Sequence, residues 1–232
     1  MVSTASSDKQ SASAKGLVAG LRPWKGPKHI ELIGEDLEFL RTLNLKHIRW
    51  ILVVEKDASF SSMVQRGLTC QSKAEQGLLV TGKGYPDLNT RRFLRAVFDT
   101  IKPKVPIYGL FDGDPDGIDI LRCYKHGSKA LAQERGCNIP EMEWIGVKFD
   151  DITRAFGEDV VSKELTDTDM KKLKSMCASL SKIPGMEDCI SDLEIMRIRG
   201  RKVEIQVLED RPGGLYGWLE NKLCEKLEWR KA

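Results

Sequence analysis

Short apolar runs alternate with amphipathic stretches through the first two thirds of the chain. Residues 47–54, 77–81 and 105–111 read HIRWILVV, GLLVT and VPIYGLF. Runs of this length, rich in β-branched residues and bounded by polar or turn residues, predict buried strands. A shorter run, WIGV at 144–147, predicts a fourth strand.

A predicted helix follows each of the first three strands. The helices begin at Asp57, Asn89 and Asp116, residues whose side chains can accept a hydrogen bond from a free N–H of the first turn. Apolar residues spaced three and four apart mark the buried face of the first two helices: Phe60, Met63 and Val64, then Leu94, Val97, Phe98 and Ile101. We expect the third helix to run to about Arg135.

The alternation of strands and helices predicts an α/β fold, with a mostly parallel sheet and helices on both faces. From Leu165 onward the pattern is mainly helical, with breaks at 183–185 and 212–214 and a last helix over 215–229. We therefore expect a disordered tail at 1–15, an α/β domain over 16–160, and a helical C-terminal extension of the same core over 161–232.

Composition narrows the function classes without selecting one. The chain is 41% hydrophobic and 31% charged, with a formal net charge of +3, which describes an ordinary globular protein and does not by itself indicate a nucleic-acid partner. The sequence contains no secretory signal and no apolar run long enough to cross a membrane. The six cysteines form no C-x-x-C pair, which argues against a zinc ribbon.

Three carboxylates come directly after predicted strands. Glu55 follows the first strand, and Asp112 and Asp114 follow the third in the run DGDPDG. Because sites in open parallel sheets form at the carboxyl ends of the strands, we expect these side chains to converge on one edge. Clustered carboxylates repel unless a cation neutralises them, and hard oxygen ligands favour Mg²⁺, with Mn²⁺ as a substitute. The plainer alternatives are an exposed strand-end carboxylate and a turn that begins the next helix.

Three other interpretations of the acidic run fit less well. An EF-hand loop that starts at Asp112 requires an acidic residue at its twelfth position, which is Cys123. An aspartyl phosphatase would use Asp112 as nucleophile and Asp114 as acid, but its acidic pair follows the first strand of the domain. No G-x-x-x-x-G-K-[ST] nucleotide loop is present.

Within the acidic run, we expect Asp112 and Asp114 to be ligands and Asp116 to cap the next helix. Pro115 favours an extended Asp114, and residues two apart in extended chain point to the same side. Asp116 precedes the apolar positions of that helix, where its charge would favour the positive end of the helix dipole.

A glycine-rich segment, TGKGYPD at 81–87, follows the second predicted strand and precedes a basic helix. Its two glycines permit close backbone approach to a phosphate. Lys83, Arg91 and Arg95 are the predicted DNA-phosphate contacts; the alternative is a surface turn beside a solvated basic face. A second basic segment with Arg197, Arg199, Arg201 and Lys202 could hold DNA or a protein partner instead.

Three segments together resemble the Toprim domain of one family, which comprises the topoisomerase VI A-subunit and the meiotic double-strand-break proteins. The segments are VVEKDASF at 53–60, TGKGYPD at 81–87 and DGDPDGID at 112–119. Three shorter segments are also similar to this family: ASAKGLV at 12–18, WIGV at 144–147 and LTDTD at 165–169. The chain resembles the meiotic branch more than the archaeal enzyme. The resemblance implies a Rossmann-like, three-layer Toprim fold. Glu55 matches the family's Toprim glutamate, and Asp112 and Asp114 match its Mg²⁺-binding D-x-D pair.

The same resemblance implies a nuclear, type II topoisomerase-like enzyme that works on double-stranded DNA as a homodimer with a B-type ATPase subunit. A winged-helix tyrosine of one protomer would attack the phosphodiester beside the other protomer's metal and leave a 5′-phosphotyrosyl break. Asp116 departs from the family pattern, in which a Tyr or His is more common.

The tyrosines depart further from the family pattern. Only about 45 residues precede the first Toprim strand, and Tyr85, Tyr108, Tyr124 and Tyr216 do not match the nucleophile position. We therefore expect no catalytic tyrosine in this chain, which would supply the metal-binding half of a DNA-cleaving transesterase. The alternatives are a stand-alone Toprim nuclease or primase-like enzyme, and a non-catalytic DNA-docking or dimerisation module.

Overall fold

A six-stranded sheet forms the centre of the protein. The computed structural model describes residues 14–22, 25–26, 28–127, 136–157, 162–209 and 211–229. In chain order the strands of this sheet are β1 Leu17–Ala19, β2 Ile30–Leu32, β3 Trp50–Val54, β4 Gly77–Thr81, β5 Ile107–Leu110 and β6 Glu143–Gly146. Their spatial order is β2-β1-β4-β3-β5-β6.

The central part of the sheet is parallel, as the sequence predicts. β3 lies between β4 and β5 and pairs in parallel with both, and β5 pairs in parallel with β6. The two strands that the sequence pattern missed, β1 and β2, pair antiparallel with each other, and β1 pairs antiparallel with β4. The carboxyl ends of β3, β4 and β5 therefore lie side by side at one edge.

Seven α-helices occur in the described part of the chain. They are α1 Asp57–Gln65, α2 Leu88–Thr100, α3 Pro115–His126, α4 Phe149–Phe156, α5 Asp167–Leu180, α6 Glu187–Arg199 and α7 Gly214–Trp229. Single-turn 3-10 helices lie at Glu38–Thr42 and Ile205–Leu208, and β7 Lys163–Glu164 pairs with β8 Arg201–Lys202 in a second small sheet. α3 ends at His126 rather than near Arg135, and residues 128–135 lie outside the described part.

The two faces of the sheet carry separate apolar cores, because successive side chains of a strand point to opposite sides. Ile51 and Val53 of β3 pack with the apolar faces of α2, α3, α5 and α6. Trp50, Leu52 and Val54 pack with α1, α4 and α7. The fold is therefore a three-layer α/β arrangement with a mostly parallel sheet, and the helical C-terminal part shares its core.

All three predicted helix caps were wrong. α1 begins at Asp57 itself, and Lys56 before it makes no side-chain cap. Asp87, not Asn89, caps α2 by accepting the Thr90 N–H at 2.7 Å. A capping residue must be extended and stand just before the first helical residue, and Asn89 already lies inside the first turn.

The cap of α3 is Asp114, not Asp116. Pro115 is the first helical residue, and Asp114 has the extended backbone (φ −142°, ψ 171°) that a cap requires. Its carboxylate Oδ1 accepts the Gly117 N–H at 2.7 Å. Asp116 lies one residue inside the helix with an exposed side chain, and it bonds to Lys172 of α5.

The chain after α6 returns across the carboxyl edge of the sheet. Gly113 and Val203 exchange two backbone hydrogen bonds of 2.7 and 3.1 Å. Lys202 bonds to Asp169 in the first turn of α5 at 2.8 Å. Residues 203–206 therefore cover one side of the site described below, and we name them the covering segment.

Among the described residues, no helix has the length and apolar character needed to cross a bilayer. The domain boundaries predicted near residues 15 and 160 remain a prediction, since residues 1–13 and 158–161 lie outside the described part.

Candidate functional site

Glu55 and Asp112 are brought together by the parallel pairing of β3 with β5. The Glu55 N–H donates to the Leu110 carbonyl at 3.0 Å, continuing the strand ladder by one residue. The Asp112 N–H donates to Glu55 Oε2 at 2.8 Å. The predicted convergence of these two residues at the carboxyl edge is therefore present.

Asp112 is the most firmly held of the three carboxylates. Its side chain is almost fully buried, with Oδ1 accepting the Ile205 N–H of the covering segment at 2.7 Å. Oδ2 forms an ion pair of 2.7 Å with Lys56 Nζ. Both carboxylate oxygens thus have a partner in this structure: a backbone N–H for Oδ1 and the Lys56 ammonium for Oδ2.

Asp114 lies two residues further along and is also buried. The helix-capping bond uses one of its carboxylate oxygens, Oδ1, and leaves Oδ2 without a hydrogen-bond donor in the described part of the chain. Asp114 therefore combines a structural role, unforeseen from the sequence, with a free oxygen at the acidic edge. We call Glu55, Asp112 and Asp114 the acidic rim.

Burial makes the charged form of all three carboxylates costly. It raises the pKa of Glu55 to about 8, with the neighbouring charge of Asp112 adding to the effect. Burial also raises the pKa of Asp112, although Lys56 and the Ile205 N–H oppose it. Burial is also the main cause that raises the pKa of Asp114. A cation placed here would relieve this electrostatic strain.

The acidic rim is not a closed ligand shell. In the part of the chain that is described, no three His, Cys, Asp or Glu side chains already surround a common point. Mg²⁺ commonly keeps several waters and binds through one or two carboxylates together with substrate phosphates. Two buried carboxylates and the half-buried Glu55, all with raised pKa values, fit such a hard, partly hydrated divalent ion. Softer metals would require nitrogen or sulfur ligands.

The glycine-rich loop lies against the acidic rim. The Gly84 N–H donates to the Glu55 carbonyl at 2.9 Å, and the Lys83 N–H donates to Thr81 Oγ1 at 3.1 Å. Lys83 itself has a positive φ of 53°, followed by Gly84 at 85°. Its ammonium forms an ion pair of 3.1 Å with Asp57 and is about one-third exposed. Lys83 is therefore a cation beside the rim.

Arg91 and Arg95 lie elsewhere. Arg91 is buried, with 2% of its surface exposed, and its Nη2 donates to Asn138 Oδ1 at 2.7 Å. Arg95 binds Asp99 and the Asn138 carbonyl. It lines a cavity of about 370 Å³ with residues that precede β5, at the opposite edge of the sheet. Of the three predicted phosphate contacts, only Lys83 is brought to the rim.

Sequence reasoning missed two groups at this site. Lys56 stands between two singled-out acidic residues in VVEKD, so its position alone could have flagged it. The covering segment carries no local signal, because its backbone bonds join residues about 90 positions apart. The basic residues near it are engaged: Arg197 with Glu194, Arg199 over Phe149, Arg201 with Ser162 and Lys202 with Asp169.

The four tyrosines differ in environment. Tyr108 and Tyr124 are fully buried in the two cores. Tyr216 lies on α7 and its hydroxyl donates to Glu220 at 3.3 Å. Tyr85, in the glycine-rich loop, is 41% exposed, and its hydroxyl donates to Asp119 at 2.7 Å. Its pKa is raised well above the usual range by burial and by Asp119, which disfavours the phenolate.

Comparisons with known proteins agree on one family. The Toprim domain of the topoisomerase 6 A-subunit/Spo11 family matches residues 50–215. The meiotic recombination protein rec12 of Schizosaccharomyces pombe is 30% identical over 226 residues, which is 92% of this chain and 59% of that protein. The meiotic recombination protein spo-11 of Caenorhabditis elegans is 41% identical over 55% of this chain and 29% of its own length.

The human meiotic recombination protein SPO11 is 33% identical over 76% of this chain and 43% of its own length. The chain thus spans between 29% and 59% of these three relatives. Since the matched segment, residues 50–215, contains the acidic rim, the glycine-rich loop and the covering segment, this chain belongs to the topoisomerase 6 A-subunit/Spo11 family, in its meiotic branch, and carries the Toprim domain of that family.

Proposed function

We propose that this chain supplies the metal-binding Toprim part of a nuclear DNA-cleaving transesterase that makes double-strand breaks in meiotic recombination. The observation that carries the proposal is the acidic rim: three converging carboxylates with raised pKa values, of which Asp112 and Asp114 are buried, beside a glycine-rich loop that holds Lys83. The meiotic relatives, whose names describe recombination proteins, give the biological setting.

Glu55, Asp112 and Asp114 are the residues that would hold Mg²⁺, or Mn²⁺ in its place. When bound, the ion supplies charge neutralisation at a DNA phosphate. The protein's own share is to keep the carboxylates fixed on rigid strand ends and to exclude water on the side that the covering segment closes. Lys83 would contact the phosphate backbone, which sets affinity and position without reading sequence.

The nucleophile of the proposed reaction is not one of the four tyrosines described above. Tyr108 and Tyr124 are fully buried, and the hydroxyls of Tyr85 and Tyr216 donate to Asp119 and Glu220. We propose that a winged-helix tyrosine of one protomer attacks beside the acidic rim of the other in a homodimer, and that a B-type ATPase is a further partner. The type II topoisomerase class follows from that arrangement.

A titration with Mn²⁺ by calorimetry tests the metal site. Asp112→Asn removes one charge from the rim and should weaken binding by about tenfold or more, as losses at metal sites commonly do. Asp116→Asn is the matched control, because it removes the same charge four residues away, from a side chain that faces Lys172. It should change affinity less than about twofold, within the effect of an exposed ion pair. Equal losses in both variants would contradict the assignment.

Incubation of the chain with labelled duplex DNA and Mg²⁺ addresses the chemistry. Denaturing gels should reveal no covalent protein–DNA adduct from these residues alone. Free cleavage products that depend on Asp112 would instead favour a stand-alone nuclease.

A further inference from the structure

Lys56 holds a position that the proposed metal chemistry does not use. Its ammonium is 2.7 Å from Asp112 Oδ2 and donates to Gln206 Oε1 at 2.6 Å. The side chain is only one-quarter exposed, and its carboxylate partner is 6% exposed. The charge of the buried Asp112 is therefore balanced from within the chain.

The contacts define what this ammonium competes with. Asp112 Oδ1 is bound to the Ile205 N–H, so Oδ2 is the oxygen left for a cation, and Lys56 occupies it. Two further lysines near the rim have other partners: Lys83 pairs with Asp57 at 3.1 Å and Lys202 with Asp169 at 2.8 Å. A divalent ion that uses Asp112 Oδ2 must first displace Lys56, or share the oxygen with it at the cost of cation–cation repulsion.

We propose that Lys56 is an exchangeable internal counter-ion of the acidic rim, which neutralises Asp112 in the absence of metal and is displaced from it when a divalent cation binds. This inference rests on the proposed metal site and deepens it. The released ammonium stays at the same edge as Lys83, because Lys56 follows Glu55 directly and also contacts Gln206 of the covering segment. Lys56 then becomes a second phosphate contact, so metal and DNA binding favour each other.

The matched control is a second ion pair of the same geometry. Lys222 contacts Asp151 at 2.7 Å with a similar side-chain exposure of 25%, and it joins α7 to α4 away from the rim. Methionine replaces either lysine with little change in volume. Lys56→Met and Lys222→Met therefore differ in whether the lost cation neutralises a proposed ligand.

Calorimetric titration with Mg²⁺ alone, at pH 9, is the direct test, because this pH lies above the pKa of about 8 of Glu55 and proton competition is small. Lys56→Met should bind Mg²⁺ roughly tenfold more tightly than the wild type, since no ion pair with a buried carboxylate has to be broken first. Lys222→Met should match the wild type. Unchanged or weaker binding by Lys56→Met overturns the inference alone, whereas no binding by any of the three proteins overturns both the inference and the metal site.

A spectroscopic measurement on the wild type guards against altered folding of the variant. The ¹H–¹⁵N signal of the Lys56 ammonium, assigned by its loss in Lys56→Met, should shift or broaden on addition of Mg²⁺. The Lys222 signal should stay in place. If neither signal moves under saturating Mg²⁺, Lys56 keeps its bond to Asp112, and the proposed displacement of Lys56 by the metal is wrong.

Discussion

At the scale of single residues, the ionised acidic rim destabilises the metal-free fold and creates a negative electrostatic potential that attracts a cation. Glu55 lies where ionisation is unfavourable, with a pKa raised from 4.5 to about 8 by burial and by Asp112. A carboxyl whose pKa is higher in the folded state binds protons more tightly there than in the unfolded chain. Such a site is stable when neutral and under strain when charged, which is the state that attracts a cation.

The metal-free fold should therefore lose stability as pH rises. The contribution of Glu55 is fully present below pH 4.5, its unfolded value, and is lost as pH passes through about 8. Melting curves in EDTA between pH 5 and 9 should fall more steeply for the wild type than for Glu55→Gln, which cannot ionise. His126, whose pKa is lowered by burial, acts in the opposite direction in both proteins and cancels in the comparison.

Added Mg²⁺ should reverse this trend, because the metal competes with protons and binds better as Glu55 ionises. The stabilisation by Mg²⁺ should then grow through pH 8 in the wild type. Parallel curves for the wild type and Glu55→Gln in EDTA would show that Glu55 ionises in the fold as easily as in the unfolded chain.

The residue scale also explains how much of the site could be predicted from the sequence. Glu55, Asp112 and Lys83 were placed correctly at one edge, because parallel strands align their carboxyl ends. The position of Arg91 could not be predicted, since its burial depends on the distant Asn138, which accepts its hydrogen bond. The role of Asp114 as a cap was hidden by Asp116, an equally good capping residue two positions later.

At the scale of elements, the apolar runs of four or more residues were predicted well, including β6, and the three-residue strands were not. β4 was predicted over the same five residues that form it, and β3 and β5 are central and buried. β1 and β2 have three residues each, too few for a period-two pattern to stand out. Both are defined by pairing with each other and with β4, which no local pattern encodes.

The contact between Gly113 and the covering segment offers a test at this scale. A Cβ on Gly113 would meet the Val147 carbonyl oxygen at 2.5 Å and the Val203 carbonyl oxygen at 3.2 Å. Both are backbone atoms and cannot move aside as a side-chain end can. Gly113→Ala should therefore destabilise the fold by about 1–3 kcal/mol, as overpacking does, and detach the segment that holds Asp112.

Gly217→Ala is the matched control for this substitution. Gly217 lies within α7, and a Cβ added there would meet no described atom within 4 Å. Alanine there should stabilise the helix by about 0.5–1 kcal/mol. Urea denaturation of both variants measures the difference, and equal stabilities would show that the covering segment yields easily at Gly113.

At the scale of the whole molecule, the two edges of the sheet are chemically different. The carboxyl edge carries the acidic rim, Lys56 and the glycine-rich loop. The opposite edge carries Arg95 and two further lysines around a cavity of about 370 Å³. Because β3, β4 and β5 run in parallel, one duplex lying along the carboxyl edge would not reach the cavity edge. Within the described ranges, Lys83 and Arg95 therefore lie at opposite edges of the sheet.

The salt dependence of DNA binding can distinguish the two edges. Each lost phosphate contact should reduce the slope of log affinity against log salt by about 0.9. With Mg²⁺ present, Lys83→Ala should show this reduction, because Lys83 stands beside the acidic rim. Arg95→Ala should leave the slope unchanged, since its guanidinium is bound to Asp99 at the far edge. Arg91→Ala should lower the melting temperature instead, because a buried side chain that bonds Asn138 is lost. A slope that falls with Arg95→Ala and holds with Lys83→Ala would move the DNA path to the opposite edge, and the acidic rim would then lie too far from the phosphates to act on them.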